Sequence, residues 1–364
     1  MSLDRIRLAS LHDKVMSAEQ AATFIQDGMT VGMSGFTRAG EAKAVPLALV
    51  KQAKENPLKI TLITGASLGN DLDKQLTEAG VLARRLPFQV DNTLRKAINN
   101  GEVMFIDQHL SETVEQMRNL QLKKPDVAII EAIAITEDGG IIPTTSVGNS
   151  ASFAIFAEKV IVEINTNLSP AFEGLHDIYI PSYRPTRQAI PLTQVDERIG
   201  THAINIDPSK IVGIVINNEY HDSPSTVTEP DDETQGIANH LINFFEQEVA
   251  AGRLPKDLGP LQAGIGSIAN AVLTGLKDSN FEDLVMYSEV LQDCTFELID
   301  AGKMKFASGS SITLSAKYGE KVFNNLDAYK DKLVLRPQEI SNHPELVRRL
   351  GIIGIHTALE FDIY

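Results

Sequence analysis

Cysteine is almost missing from this sequence: Cys294 stands alone among 364 residues. One thiol excludes an intrachain disulfide framework and any cysteine-based zinc site, and it makes a reducing cytoplasmic compartment the expectation. Basic runs are missing too. With 33 Lys and Arg against 48 Asp and Glu, the formal charge is −15. No Lys/Arg block is present to meet a phosphate backbone or an anionic membrane surface, so neither nucleic acid nor membrane is an expected partner. A local basic pocket for an acidic substrate remains compatible with this balance. No stretch of the chain approaches the ~18 consecutive apolar residues of a membrane helix. The N-terminus, MSLDRIRLASLHDK, carries charge where a secretory signal needs its apolar segment. The eight His residues are scattered without HxxxH or HExxH spacing, and no metal is expected.

What is present fits a globular protein of two domains, because single cores rarely grow past ~250–300 residues. Ser17 with Gln20 reads as a capping box opening a short helix, and Asp27-Gly28 ends it before the strand MTVGMSGF. After TRAGEAKA, the segment VPLALVKQAKE has helical periodicity and KITLITGA is again a strand. Further on, DVAIIEAIAI, VIVEIN and KIVGIVINN are apolar runs of strand length, and ASFAIFAEK is helical. Buried, mostly parallel strands are the simplest account.

The polar, Pro-bearing stretch EYHDSPSTVTEPDDET marks a boundary, giving an α/β domain over 1–220 and a second over 221–364. Glu229, Asp231, Asp232 and Glu233 precede a helix through IANHLINFFEQEVAAG, where the macrodipole favours acids, so a structural role is expected for them. The order LQAGIG, helix SIANAVLTGLKD and strand LVMYSEVL echoes that of the first domain. At the end, LGIIGIHTALEFDIY alternates like a buried strand and stops at Tyr364 without a polar tail. The second domain is therefore expected to be incomplete.

Gly264-x-Gly266-x-x-Ala269 falls at a strand-to-helix turn, where glycine lets backbone N–H groups approach an anion. Glu289 follows Gly266 by 23 residues. Three readings fit this spacing: a tight turn needed only for packing, a dinucleotide fingerprint whose acid holds a ribose, and another anion or thioester site. Glu289 ends a strand, where ligands of parallel sheets bind, and an ionised carboxylate can act as a nucleophile without a partner base. The rival nucleophile, Cys294, sits on an amphipathic helix as a small core residue would.

SEVLQD around Glu289, LQAGIGSIANAV, RPQEISNHPELVRRLG, VGMSGFTRAGEAKAVP and TLRKAINNGEVMFIDQHLS together resemble the acetyl-CoA hydrolase/transferase family of class I CoA-transferases. The closest likeness is to the succinyl-CoA:acetate and propionyl-CoA:succinate CoA-transferases, and it runs along the whole chain. The resemblance implies two similar open α/β domains and a homodimer. It implies Glu289 as the covalent nucleophile and Asn342 as a side-chain donor. It implies CoA and thioester contacts at Gln262, Ala263, Gly264, Ile265 and Gly266, with the Ile265 N–H donating to the thioester oxygen. Family members continue past EFDIY with a glycine-rich segment that this chain lacks.

The implied reaction moves CoA between acids such as acetate, succinate and propionate through an acyl-glutamyl anhydride and a glutamyl-CoA thioester. CoA is then a substrate and no separate cofactor is needed. The alternative is acetyl-CoA hydrolysis, with water resolving the enzyme intermediate; a more remote one is an NAD-binding oxidoreductase. Phe36, Arg38 and Ser67 are candidates for sorting the acids, or else turn residues and a solvated cation.

Overall fold

A computed structural model describes residues 3–226, 230–358, 360 and 362. Two compact units emerge, one formed by 1–190, 199–223 and 335–340, the other by 191–198, 224–334 and 341–364. No helix among the described residues is long and apolar enough to cross a membrane.

The first unit is built on β1 (Thr30–Met33), β2 (Ile60–Ile63), β3 (Leu82–Leu86), β4 (Met104–Phe105), β5 (Val127–Ile135), β6 (Ile141–Pro143), β7 (Lys159–Asn165) and β8 (Ile211–Asn217). Their order is β4-β3-β2-β1-β5-β7-β8, with β6 antiparallel to β5. The remaining pairings are parallel. All nine residues of β5 are buried, as a central strand covered on both faces requires. Helix α1 (Ala18–Ala22) opens with the capping box predicted at Ser17 and Gln20. Helix α2 (Ala44–Glu55) lacks a side-chain cap on its own chain end. Its first amides donate instead to the Glu163 carboxylate in β7, from Lys43 at 2.8 Å, Ala44 at 3.0 Å and Val45 at 3.1 Å. A buried acid is thus satisfied by an orphaned helix end.

A second acid in an apolar strand, Glu131 of β5, is fully buried against Lys43, whose Nζ lies 2.6 Å from Glu131 Oε1 and 2.8 Å from Asp222 Oδ1. Thr144 and Asn165 also donate to Glu131. Desolvation, reinforced by the Asp222 charge, outweighs Lys43 and pushes the Glu131 carboxyl up to about 8.

The second unit contains β9 (Pro260–Ala263), β10 (Leu284–Tyr287), β11 (Val290–Leu291), β12 (Met304–Gly309), β13 (Ser311–Ile312), β14 (Leu333–Leu335) and β15 (Ile353–Ile355). Its sheet runs β14-β12-β10-β9-β15, and β11 pairs in parallel with β13. Strand β9 is parallel to both neighbours. The winding repeats that of the first unit: β9, β10, β12, β14 and β15 take the places of β1, β2, β3, β4 and β5. That repetition accounts for the echo in the sequence, where strand, glycine turn, helix and strand recur in one order. Along the chain, α3 (Leu72–Glu78), α4 (Asn92–Asn99), α5 (Thr113–Arg118) and α6 (Ser150–Phe156) belong to the first unit. Helices α7 (Asp232–Ala250), α8 (Ser267–Lys277), α9 (Asp293–Asp300) and α10 (Ala316–Phe323) belong to the second. Helix α11 (Gln338–Ser341) carries the chain from one unit to the other, and α12 (Pro344–Leu350) follows in the second.

One expectation is modified. The final alternating run was expected to be a buried strand, but β15 has three residues and lies at the sheet edge, with only Ile355 buried. An edge strand has a neighbour on one side only, so Ile353 stays half-exposed. Leu359, Phe361, Ile363 and Tyr364 of that run, like Glu229 before α7, lie outside the described residues.

Candidate active site

In parallel α/β sheets, ligands gather at the carboxyl ends of strands where the winding reverses. In the second unit that place is the end of β9, flanked by β10 and β15. The predicted residues Gln262, Ala263, Gly264, Ile265 and Gly266 form the last half of β9 and the turn into α8. Gly266 is the N-cap of α8 with φ at +152°, a dihedral that favours glycine, while the space a Cβ would fill is open. Ile265 is 62% exposed, and among the described residues its N–H donates to no protein acceptor. The turn therefore presents an uncommitted amide at the start of an eleven-residue helix.

Glu289 stands next to this turn. Met286 of β10 is opposite Leu261 of β9, and Ser288 Oγ donates to the Ala263 carbonyl at 3.4 Å. Counting on, Glu289 comes level with Gly264. Gln292, three residues later, donates from Nε2 to the Gly264 carbonyl at 3.4 Å. The Glu289 backbone is fixed from the other side, where its carbonyl accepts the Ser310 amide at 2.7 Å and the Ser311 amide at 3.1 Å. Its half-buried side chain meets Asn342, whose Nδ2 donates to Oε1. Oε2 accepts no hydrogen bond among the described residues.

Asn342 does not cap the helix that follows it: the N-cap of α12 is His343, and no side chain caps that helix. Asp231 does cap α7, accepting the Thr234 amide at 2.8 Å, with Asp232 and Glu233 in its first turn. Cys294 is 4% exposed, and burial pushes its thiol up to about 12. Burial and a raised thiol are what a small core residue presents.

The other three candidates lie in the first unit. Phe36 is fully buried and Ser67 nearly so, while Arg38 is exposed at φ +64°. The Arg38 amide donates to the Ser67 carbonyl at 3.0 Å, so the loops after β1 and β2 are stitched together there. A cavity of about 910 Å³ in this unit, bordered by Met16, Leu47, Lys51, Val215 and Tyr220, contains none of the predicted residues. No cluster of three or more His, Cys, Asp or Glu suited to a metal ion occurs among the described residues.

Two acids escaped the sequence reading, Glu131 and Glu163. A lone carboxylate inside an otherwise apolar strand was the available signal, since such a group must find a buried partner.

Residues 2–216 match the family described as the acetyl-CoA hydrolase/transferase N-terminal domain. The chain is 46% identical over 362 residues to the succinyl-CoA:acetate CoA-transferase of Clostridium kluyveri, covering 99% of this chain and 67% of that protein. It is 44% identical to the acetyl-CoA hydrolase of Schizosaccharomyces pombe, covering 99% of this chain and 71% of the relative. Among solved structures, RipA from Yersinia pestis superposes with a TM-score of 0.70 at 17% identity, over 97% of this chain and 74% of RipA. The 4-hydroxybutyrate CoA-transferase from Porphyromonas gingivalis gives 0.62 at 20% identity, over 97% and 75%. These two likenesses are of fold. The identities over nearly the full chain, together with the matched domain, place it in the acetyl-CoA hydrolase/transferase family.

Proposed function

We propose that the protein is an acyl-CoA:carboxylate CoA-transferase acting on small acids such as acetate, succinate and propionate, with Glu289 as its covalent nucleophile. The observation that carries this reading is the bond from Asn342 to Oε1 of Glu289, which leaves Oε2 unengaged beside the glycine turn. In the first step Oε2 bonds to the thioester carbon, the C–S bond breaks, and CoA leaves as thiolate. The oxyanion formed on the substrate is met by the Ile265 N–H. In the second step the thiolate attacks the glutamyl carbonyl, and the oxygen that becomes charged is the one already bonded to Asn342. A preorganised donor at such an oxygen is typically worth ~2.7–4 kcal/mol. The acid departs, and a second carboxylate takes the CoA by the same steps reversed.

The dinucleotide alternative needed Glu289 to hold a ribose, whereas its carboxylate is bonded to an amide and the named relatives act on CoA thioesters. CoA enters and leaves as substrate, so no separate cofactor is required. The resemblance favours a homodimer, and the reduced state of a lone buried thiol suits the cytoplasm.

A second reading, thioester hydrolysis, is favoured by the hydrolase relative at 44% identity. The readings differ in whether water or a carboxylate resolves the glutamyl thioester. Incubation with acetyl-CoA, with and without succinate, separates them. Acyl exchange that needs succinate and releases little free thiol supports the transferase; thiol release at the same rate in buffer alone supports the hydrolase.

A further inference from the structure

One peptide unit in the turn after β9 has no side chain of its own to aim it. Ile265 stands between Gly264 and Gly266, so the backbone on both sides can take conformations that a Cβ would forbid. A peptide unit is planar and trans, and its C=O and N–H point in opposite directions. The Gly264 carbonyl and the Ile265 N–H belong to one such unit, so whatever aims the first aims the second. The backbone is pinned on either side: the Gly264 amide donates to the Ile355 carbonyl at 3.0 Å, and the Gly266 carbonyl accepts the Asn270 amide at 3.1 Å. At the Gly264 carbonyl, among the described residues, the donor is a side chain, Gln292 Nε2 at 3.4 Å. Gln292 is itself fixed. Its carbonyl accepts the Thr295 amide at 2.9 Å, and the carboxylate of the next residue, Asp293, accepts the Ser315 amide at 2.9 Å. Gln292 is the N-cap of α9, yet its side chain makes no cap bond, and glutamine is not among the residues favoured there. The start of the helix does not account for an amide side chain at this position; the reach to Gly264 does.

Resting on the reading of the Ile265 N–H as oxyanion donor, we infer that Gln292 is a positioning residue: by holding the Gly264 carbonyl it fixes the orientation in which the Ile265 N–H is left for the thioester oxygen. As Oε2 of Glu289 bonds to the thioester carbon, the carbonyl π pair moves onto oxygen, where the N–H meets it. The pair returns as the intermediate collapses, and the C–S bond breaks with its electrons on sulfur. Gln292 touches none of these atoms. With the peptide unit turned by half a rotation, the Gly264 carbonyl would stand where the N–H stood and present its negative end to the growing charge. Donation to the carbonyl also polarises the unit, which strengthens its N–H as a donor. A neutral hydrogen bond shifts the balance between two such orientations by up to about 10-fold, so losing the Gln292 amide weakens the oxyanion donor without abolishing it.

The test first separates the donor from the chemistry. Acetyl-CoA labelled isotopically at its carbonyl is bound to Glu289→Ala protein, where it stays intact, and infrared difference spectra read the thioester C=O stretch. The Ile265 N–H should lower that frequency relative to free acetyl-CoA. Adding Gln292→Met, which keeps the length of the side chain but has no donor, should return the band toward its free position, with affinity and melting temperature nearly unchanged. In otherwise wild-type protein, Gln292→Met should lower kcat about 10-fold at nearly unchanged KM. A band still fully lowered in the double variant, wild-type kcat in Gln292→Met, or a change in KM alone overturns the inference. Should Met disturb the start of α9, Gln292→Glu keeps the shape and loses the donor on ionisation: return of the band supports the inference, and a band still lowered overturns it. If Glu289→Ala alone shows no lowering, the Ile265 donor fails and the inference falls with it, whereas a lowering there that survives Gln292→Met removes Gln292 alone.

Discussion

The backbone carbonyl of Glu289 accepts the amide of Ser310 at 2.7 Å, and the neighbouring Ser311 amide reaches it at 3.1 Å. This pair closes around Gly309, where an added Cβ would lie 2.8 Å from Leu291 Cγ and 3.4 Å from the Glu289 carbonyl oxygen. Gly309→Ala is expected to cost roughly 1–3 kcal/mol through overpacking and to lower kcat by shifting the Glu289 backbone. Leu291→Ala in the same chain should recover part of the turnover. Melting curves and steady-state rates on the wild type and the two variants check this, and full activity in Gly309→Ala would show that the clamp is not needed.

Asn342→Ala should lower kcat by ~10²–10³ at nearly unchanged melting temperature. The geometry assigns its Nδ2 to Oε1 of Glu289 and the helix cap to His343. A large loss of stability with intact turnover would return Asn342 to a structural role.

Stability should depend on pH through Glu131. Burial raises its carboxyl from an ordinary value of 4.5 to about 8, so the folded protein binds this proton more tightly than the unfolded chain. The resulting stabilisation is complete below 4.5 and is lost as pH rises through about 8. Melting temperature should therefore decline across that window, with a shallower decline in Glu131→Gln. Equal slopes for the two proteins would contradict the assignment.

Cys294 should resist iodoacetamide at neutral pH in the folded protein, because burial pushes its thiol up to about 12. Cys294→Ala should retain exchange. Rapid alkylation together with loss of turnover would make the thiol part of the chemistry.

The strands β1, β2, β5, β7 and β8 and the helices α2, α8 and α9 were legible because each carries a periodic pattern or a local stop signal. Strand β4, two residues long, has too few positions to show any alternation. Glu289 and the glycine turn could be found because strand-end chemistry is local in sequence. Their side-chain partner is not, since Asn342 is 53 residues from Glu289; the buried pair of the first unit is likewise distant, with Lys43 88 residues from Glu131.

Covalent labelling of Glu289 tests the account most directly. The protein is incubated with an acyl-CoA and no acceptor, digested, and mapped by mass. The account predicts a peptide spanning Tyr287 to Asp293 heavier by one CoA less water, with the addition on Glu289 and absent from Glu289→Ala. Exchange that proceeds without any such adduct, or a label found on Cys294, would contradict it.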